Sequence, residues 1–182
     1  MNLKKAIFVC IRKAPRKITR TVLQKLLYLA TVKGLTRAPY EAHYYGPYSP
    51  EVASTLQDLA SAGLNVESTK TLQAYGDRWE VRRYQYSLPR KVEESLEKLL
   101  TEEDQRDAKQ LERIIDVCEQ RNSLTPKALS VATKVLFVLR ETNRPLVEPE
   151  IVKEAGKLGW ELTEEEIQNS VVGVLSDLNL VK

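Results

Sequence analysis

The residue types that most often carry catalysis are sparse in this chain. His43 is the only histidine, and Cys10 and Cys118 are the only cysteines among its 182 residues. A structural zinc site needs cysteine or histidine ligands a few residues apart, and none of these three residues has such a neighbour. Acid–base catalysis by His43 would also need a nucleophile that the sequence does not identify. We therefore expect no enzyme activity, no metal site and no cofactor.

Positive charge is concentrated in the first half of the chain. Residues 1–91 hold 16 Lys and Arg against 6 Asp and Glu, and residues 92–182 hold 12 against 19. Such an asymmetry indicates either a basic surface for an anionic partner or attraction between the two halves, within one chain or across a homodimer. We expect the nucleic-acid contacts of such a surface to come from Lys13, Arg16, Lys17, Arg20, Arg78, Arg82 and Arg83.

Tyrosines form a second group of candidate binding residues. Four of the eight tyrosines lie within residues 40–48. The rings of Tyr45 and Tyr48 could stack on bases or on the side chains of a protein partner. Ser54 and Gln57, a little further along the chain, could form hydrogen bonds to the same bases or partner. The alternative is that the tyrosines pack a hairpin wing against neighbouring helices; this prediction covers Tyr44, Tyr45, Tyr48, Tyr84 and Tyr86.

Apolar spacing predicts the elements that position these residues. Three helices are predicted in the first third of the chain, and the third begins with Ser49 as its N-cap and Pro50 as its first residue. After Gly63 the apolar period becomes two, which predicts a β-hairpin; a slip in the alternation at Arg82 and Arg83 predicts a β-bulge. Three helices followed by a hairpin is the order of a winged helix-turn-helix.

The remaining sequence is strongly helical. Residues 91–122 predict a long charged helical connector, which either mediates self-association or packs on its own domain. Thr101 and Asp104 stand at capping distance, where the connector could divide in two. Residues 123–182 predict three further helices, the last starting with a capping box at Thr163. We predict a mainly α fold: a winged helix-turn-helix with a hairpin wing in residues 1–90, the connector in 91–122, and a C-terminal three-helix unit of helix-turn-helix proportions in 123–182.

Two segments carry a family resemblance. They are TRTVLQKLLYLATVKGL, residues 19–35, and YEAHYYGPYSPEVASTLQDLASAGL, residues 40–64, and the resemblance covers about residues 18–65. A similar "lQKLLYla" helix, followed by an aromatic-Gly-Pro-aromatic segment and a helix ending in "L…Gl", occurs in the Panacea (SocA-like antitoxin) domains and related uncharacterised winged-helix proteins, which this region resembles. His43-Tyr44 stands where that family usually has an acidic or tryptophan-bearing residue. The resemblance implies helix-turn-helix ancestry, with members that bind proteins and others suspected of binding DNA.

The third predicted helix disfavours ordinary reading of the DNA major groove. It carries Glu51 and Asp58 without any Lys or Arg, so phosphates would repel it. We therefore expect a non-enzymatic regulator, acting as a dimer, whose basic first helices and wing contact nucleic acid, double-stranded DNA above other kinds. The alternative is a protein-interaction module, such as an antitoxin-like or adaptor protein. Without a long apolar run or a signal-like segment, we expect a cytoplasmic protein with no membrane contact.

Overall fold

A computed structural model describes residues 1–15, 17–73 and 80–181; for residues 69–73 and 80–83 it describes the backbone. The predicted site residues Arg16 and Arg78 lie outside these ranges, as do the side chains of Arg82 and Arg83. The elements are α1 (Leu3–Lys13), β1 (Ile18–Thr19), α2 (Arg20–Val32), α3 (Pro50–Ser61), β2 (Val66–Gln73), β3 (Glu80–Ser87), α4 (Arg90–Leu99), α5 (Glu102–Gln120), α6 (Pro126–Thr142), α7 (Glu148–Lys157) and α8 (Glu164–Ser170).

The strands form one small antiparallel sheet in the order β1-β3-β2. Its two-residue edge strand, β1, is absent from the sequence-based prediction. The hairpin pairs residue by residue from Val66 opposite Ser87 to Gln73 opposite Glu80. The predicted β-bulge is therefore wrong, because Arg82 and Arg83 each face one residue of β2. The alternation of apolar residues indicates which face of a strand is buried, but the backbone hydrogen bonds set the register of a hairpin. Here the alternation slips at Arg82 and Arg83, and the register does not.

Helix starts follow the capping pattern that the sequence predicts. The Ser49 hydroxyl accepts a hydrogen bond of 3.3 Å from the backbone N–H of Val52, and Pro50 is the first residue of α3. Thr101 and Asp104 form a reciprocal capping box that begins α5 and divides the connector into α4 and α5. Each of these caps satisfies backbone donors that a helix start would otherwise leave unpaired.

All the helices contribute to one hydrophobic cluster, and the fold is mainly helical, as predicted. Leu111, Ile114 and Ile115 of α5 are almost fully buried, and α5 packs on α1 and α2. The apolar face of α5 is thus covered by its own chain, whereas Leu99 of α4 is 53% exposed. Helix α2 also packs on α6, which joins the first helices to the C-terminal helices. The division of the chain at residues 90 and 122 stays a prediction.

The last predicted helix is interrupted. After α8 the chain forms a short π-helical turn at Val171–Leu175, in which Gly173 has non-helical dihedral angles of φ −88° and ψ −114°. The prediction of one continuous helix is therefore wrong, since glycine tolerates a backbone conformation that breaks the regular hydrogen-bond pattern. Within the described ranges, every helix is too short or too polar to cross a membrane.

Candidate functional site

Basic residues of α1 are paired with acidic residues of α5. The Lys5 ammonium lies 2.6 Å from Asp104, and the Lys13 ammonium lies 2.8 Å from Asp116. Between them, an Arg12 guanidinium nitrogen lies 2.8 Å from Glu112. The three acidic residues fall at multiples of four positions and so share one face of α5. Much of the positive charge of α1 is therefore matched within the chain.

The hydrogen bonds at these pairs shift the pKa of their members. The Lys5 ammonium, together with the backbone N–H and hydroxyl of Thr101, lowers the pKa of Asp104 to about 2. The hydrogen bond with Asp116 raises the pKa of Lys13. Both shifts favour the charged forms, as expected for groups whose charge is met by an opposite charge. Lys13, a predicted nucleic-acid contact, thus already has an anionic partner.

Arg20, unlike the basic residues of α1, contacts residues of the hairpin. Its Nε donates a hydrogen bond of 2.9 Å to the hydroxyl of Tyr86, and its Nη2 lies 3.1 Å from Glu67. The guanidinium carbon is 3.9 Å from the centroid of the Tyr84 ring. Arg20 therefore joins the start of α2 to β2 and β3. Lys17, which precedes β1, is exposed.

We call residues 43–48, between α2 and α3, the tyrosine loop; α2 holds the C-terminal end of this loop. Two hydrogen bonds join the Gln24 side chain to the Ser49 backbone: Nε2 donates to the carbonyl at 2.9 Å, and Oε1 accepts from the N–H at 3.0 Å. The next residue, Lys25, donates from Nζ to the Pro47 carbonyl at 2.7 Å. Two consecutive side chains of α2 thus hold Pro47 and Ser49, the residues on either side of Tyr48, just before α3 begins.

Trp160, in the segment between α7 and α8, holds the N-terminal end of the tyrosine loop. The indole N–H of Trp160 donates to the carbonyl of His43 at 2.8 Å. Gly46 has φ +91°, and a Cβ at this position would lie 3.1 Å from Cγ of Lys134 and 3.4 Å from Nζ of Lys25. The positive φ favours glycine here, and an added Cβ would also crowd the Lys134 side chain. The tyrosine loop is therefore anchored to α2 at its C-terminal end and to Trp160 at its N-terminal end, and Lys134 of α6 lies close to Gly46 between them.

Lys25 is an unusual anchor because it is buried. Its side chain is among the largest that are fully enclosed, and the residue is 2% exposed. Burial, with a smaller contribution from the nearby charge of Lys134, lowers the pKa of Lys25 to about 7. Among the described residues, Lys25 donates its hydrogen bond to the Pro47 carbonyl rather than to a carboxylate. Such a lysine loses its charge far more easily than an exposed one.

The anchored loop exposes two tyrosines at its tip. Tyr44 and Tyr45 are 72% and 59% exposed, and their rings meet edge to face with centroids 4.9 Å apart. Tyr48 is only partly exposed and lies 5.1 Å from the His43 ring. The sequence predicts, as an alternative, that the tyrosines pack between the hairpin and the helices. Tyr86 is buried as this prediction requires, whereas Tyr44 and Tyr45 are exposed, so for these two residues the prediction is wrong.

The remaining predicted contacts lie on α3. Ser54 and Gln57 are exposed, and so are the acidic residues Glu51 and Asp58 of the same helix. The Ser54 hydroxyl donates a hydrogen bond of 3.0 Å to the Glu51 carbonyl. The sequence reasoning missed the anchoring roles of Gln24, Lys25 and Trp160. A signal was present for the first two, because both are polar residues within an apolar helical segment.

The described residues contain no group of His, Cys, Asp or Glu arranged to hold a metal ion. The resemblance of residues 18–65 to the Panacea domains stays a prediction. No protein-family model matches the chain, and no curated protein is similar to it at a significant level.

Proposed function

We propose that the protein is a protein-interaction module that binds its partner through the tyrosine loop. The observation that carries this proposal is the exposure of Tyr44 and Tyr45 on a loop that Gln24, Lys25 and Trp160 hold in place. Tyrosine is enriched among residues that dominate binding energy, since its large ring has few rotatable bonds. A loop that is already ordered also pays little conformational entropy on binding.

The pairing of α1 with α5 supports this function over broad nucleic-acid binding. Phosphate contacts give affinity by releasing condensed counterions, and each contact needs a cation that is free to approach. Lys5, Arg12 and Lys13 already contact carboxylates at 2.6 to 2.8 Å. A phosphate at these positions would have to displace those carboxylates.

Nucleic-acid binding by the hairpin is the second candidate. The order from α1 to β3, helix, strand, two helices and a hairpin, is that of winged helix-turn-helix domains, and Lys17 beside β1 is exposed. In this candidate function the wing residues Arg78, Arg82 and Arg83 contact the minor groove, and Arg16, Lys17 and Arg20 contact phosphates. The exposed acidic residues Glu51 and Asp58 make α3 a poor recognition helix in this case as well.

The test is co-purification from native cells with a tagged wild-type chain and two variants. The first variant is Tyr44→Ala with Tyr45→Ala; the control is Val172→Ala, since Val172 is also a highly exposed apolar residue, 67% exposed, in the π-helical turn. We expect a protein at equal stoichiometry with the wild type and the control, and its loss from the tyrosine variant. A partner retained equally by all three chains contradicts the proposal. If the wild type instead co-purifies with nuclease-sensitive nucleic acid, and a further variant, Arg82→Glu with Arg83→Glu, loses it, the second candidate is supported.

A further inference from the structure

The outward face of α3 is exposed to solvent. Val52, Leu56 and Leu59 are buried, and α3 packs on α1 through this apolar side. The opposite side carries only acidic and neutral polar groups that are exposed: Glu51, Ser54, Gln57 and Asp58. This face therefore presents negative charge and hydrogen-bonding groups to solvent.

The tyrosine loop leads directly into α3. Ser49, the N-cap of α3, is the one residue between the loop and Pro50, the first residue of the helix. At the base of the loop, Tyr48 forms a β-bridge with Glu41, with backbone hydrogen bonds of 2.9 and 3.0 Å, and Glu41 is exposed. We call Glu41, the tyrosine loop and the outward face of α3, which follow closely along the chain, the combined surface; its exposed groups include the rings of Tyr44 and Tyr45 and the three carboxylates of Glu41, Glu51 and Asp58.

Two lysines adjoin the loop, and neither gives this surface a strong positive charge. Lys25 is enclosed beneath Gly46, as described above. The ammonium of Lys134 lies 5.5 Å from the centroid of the Trp160 ring, and Glu166 and Glu161 are close enough to act on it electrostatically. Carboxylates and aromatic rings therefore dominate the combined surface.

We propose that this surface, the tyrosine loop with the outward face of α3, binds a cationic, arginine-bearing segment of a protein partner. The inference rests on the proposed function and specifies its partner. A guanidinium is attracted to the face of a tyrosine ring and forms paired hydrogen bonds with carboxylates, so one arginine-bearing segment can use both features. The chain already contains such a contact, because the Arg20 guanidinium lies over the Tyr84 ring. Negative charge on the same surface repels nucleic acid.

The test is selection of a displayed library of random dodecapeptides on the full-length protein. We expect the selected peptides to be rich in Arg with a positive net charge. The affinity of the best peptide should fall about tenfold with Tyr44→Ala plus Tyr45→Ala, and about fivefold with Glu51→Gln plus Asp58→Asn. The matched control is Glu164→Gln plus Glu165→Gln, the same change of charge at exposed residues of α8; it should leave the affinity within about twofold.

Each other outcome overturns a defined part of the account. Selected peptides that need the tyrosines but are neutral or acidic overturn the cationic partner and leave the proposed function standing. Equal losses from the two acidic pairs overturn the surface, since they indicate general electrostatic attraction. Direct binding of a random-sequence DNA duplex to the protein, measured without peptide and lost with Tyr44→Ala plus Tyr45→Ala, overturns the inference in favour of nucleic acid. A selection that yields no tyrosine-dependent peptide counts against the proposed function as well.

Discussion

The buried ammonium of Lys25 donates a hydrogen bond of 2.7 Å to the carbonyl of Pro47, and this contact joins α2 to the tyrosine loop. The lysine stands next to Gln24, whose amide forms two hydrogen bonds to Ser49. The position of the exposed tyrosines therefore depends on a titratable group within the core. The consequences can be measured in the stability of the protein and in its binding.

Lys25 should make the stability depend on pH. In the folded protein its pKa is lowered from 10.5 to about 7, so between these values the unfolded chain binds a proton that the folded chain lacks. Stability from this group therefore rises with pH from 7 to 10.5, and below pH 7 the full cost of the buried charge is present. Between pH 7 and pH 9 the wild type should gain about 2 kcal/mol relative to Lys25→Met, measured by urea unfolding.

The control for this titration is Lys17→Met, which removes an exposed lysine. The charges that face Lys25 from neighbouring elements, Lys134 of α6 with Glu161 and Glu166 beyond it, are unchanged in both variants. The difference between wild type and control should stay constant over the same pH range. A constant difference for Lys25→Met too would contradict the lowered pKa.

Gly46→Ala should destabilise the protein more than Gly34→Ala. Both glycines have positive φ, +91° and +74°, so each substitution introduces backbone strain. Only at Gly46 would the new Cβ also meet the side chains of Lys134 and Lys25, whereas at Gly34 nothing lies within 4 Å. We expect about 1 kcal/mol for Gly34→Ala and about 2 to 3 kcal/mol for Gly46→Ala in the free energy of unfolding. Equal values would show that the lysines beneath the loop yield without cost.

Trp160→Phe should loosen the tyrosine loop while keeping an aromatic ring in the core. The substitution removes the indole N–H that donates to the carbonyl of His43. We expect a loss of about 1 kcal/mol in stability and faster amide hydrogen exchange in residues 43–48. Exchange elsewhere on the surface, for example in the first turn of α8, should change no more than global stability requires. Unchanged exchange in residues 43–48 would show that α2 alone orders the loop.

Removing acidic residues of α5 should increase the affinity for polyanions. Glu112→Gln with Asp116→Asn removes the carboxylates that lie 2.8 Å from Arg12 and Lys13, and leaves Arg12 only the longer contact of 3.7 Å with Glu97. Retention on heparin should increase, and the log–log salt dependence of duplex binding should steepen by about 1 to 2. Glu164→Gln with Glu165→Gln changes the net charge equally without freeing these cations and should have a smaller effect. Equal effects would mean that net charge alone controls retention.

Local signals in the sequence predicted much of the fold. Ser49 and Pro50 mark the start of α3, and Thr101 with Asp104 marks the start of α5, because caps are satisfied by residues a few positions away. The two-residue strand Ile18–Thr19 escaped prediction since it exists only by pairing with Tyr86 and Gln85, far along the chain. The apolar stripe predicts a continuous helix through Gly173, because a single glycine within such a stripe does not indicate an interruption of the helix.

The candidate site was predictable only in part. The aromatic-Gly-Pro-aromatic segment is visible in the sequence, yet its exposure is decided by Gln24, Lys25 and Trp160, two of them before the segment and one far after it. The charge counts of the two halves left a basic surface and attraction between the halves as alternatives. Pairs such as Lys5 with Asp104 favour attraction for α1, and the counts could not decide because these residues lie almost a hundred positions apart.

The central claim, that a protein partner binds the exposed tyrosine pair, is tested most directly by site-specific photo-crosslinking in native cells. A benzoylphenylalanine replaces Tyr44 in one chain and Val172 in the control chain. The account predicts a crosslinked protein of defined mass from position 44 alone, lost when Glu51 and Asp58 are replaced by Gln and Asn. A crosslink to nucleic acid from position 44, or the same protein crosslinked from both positions, would contradict it.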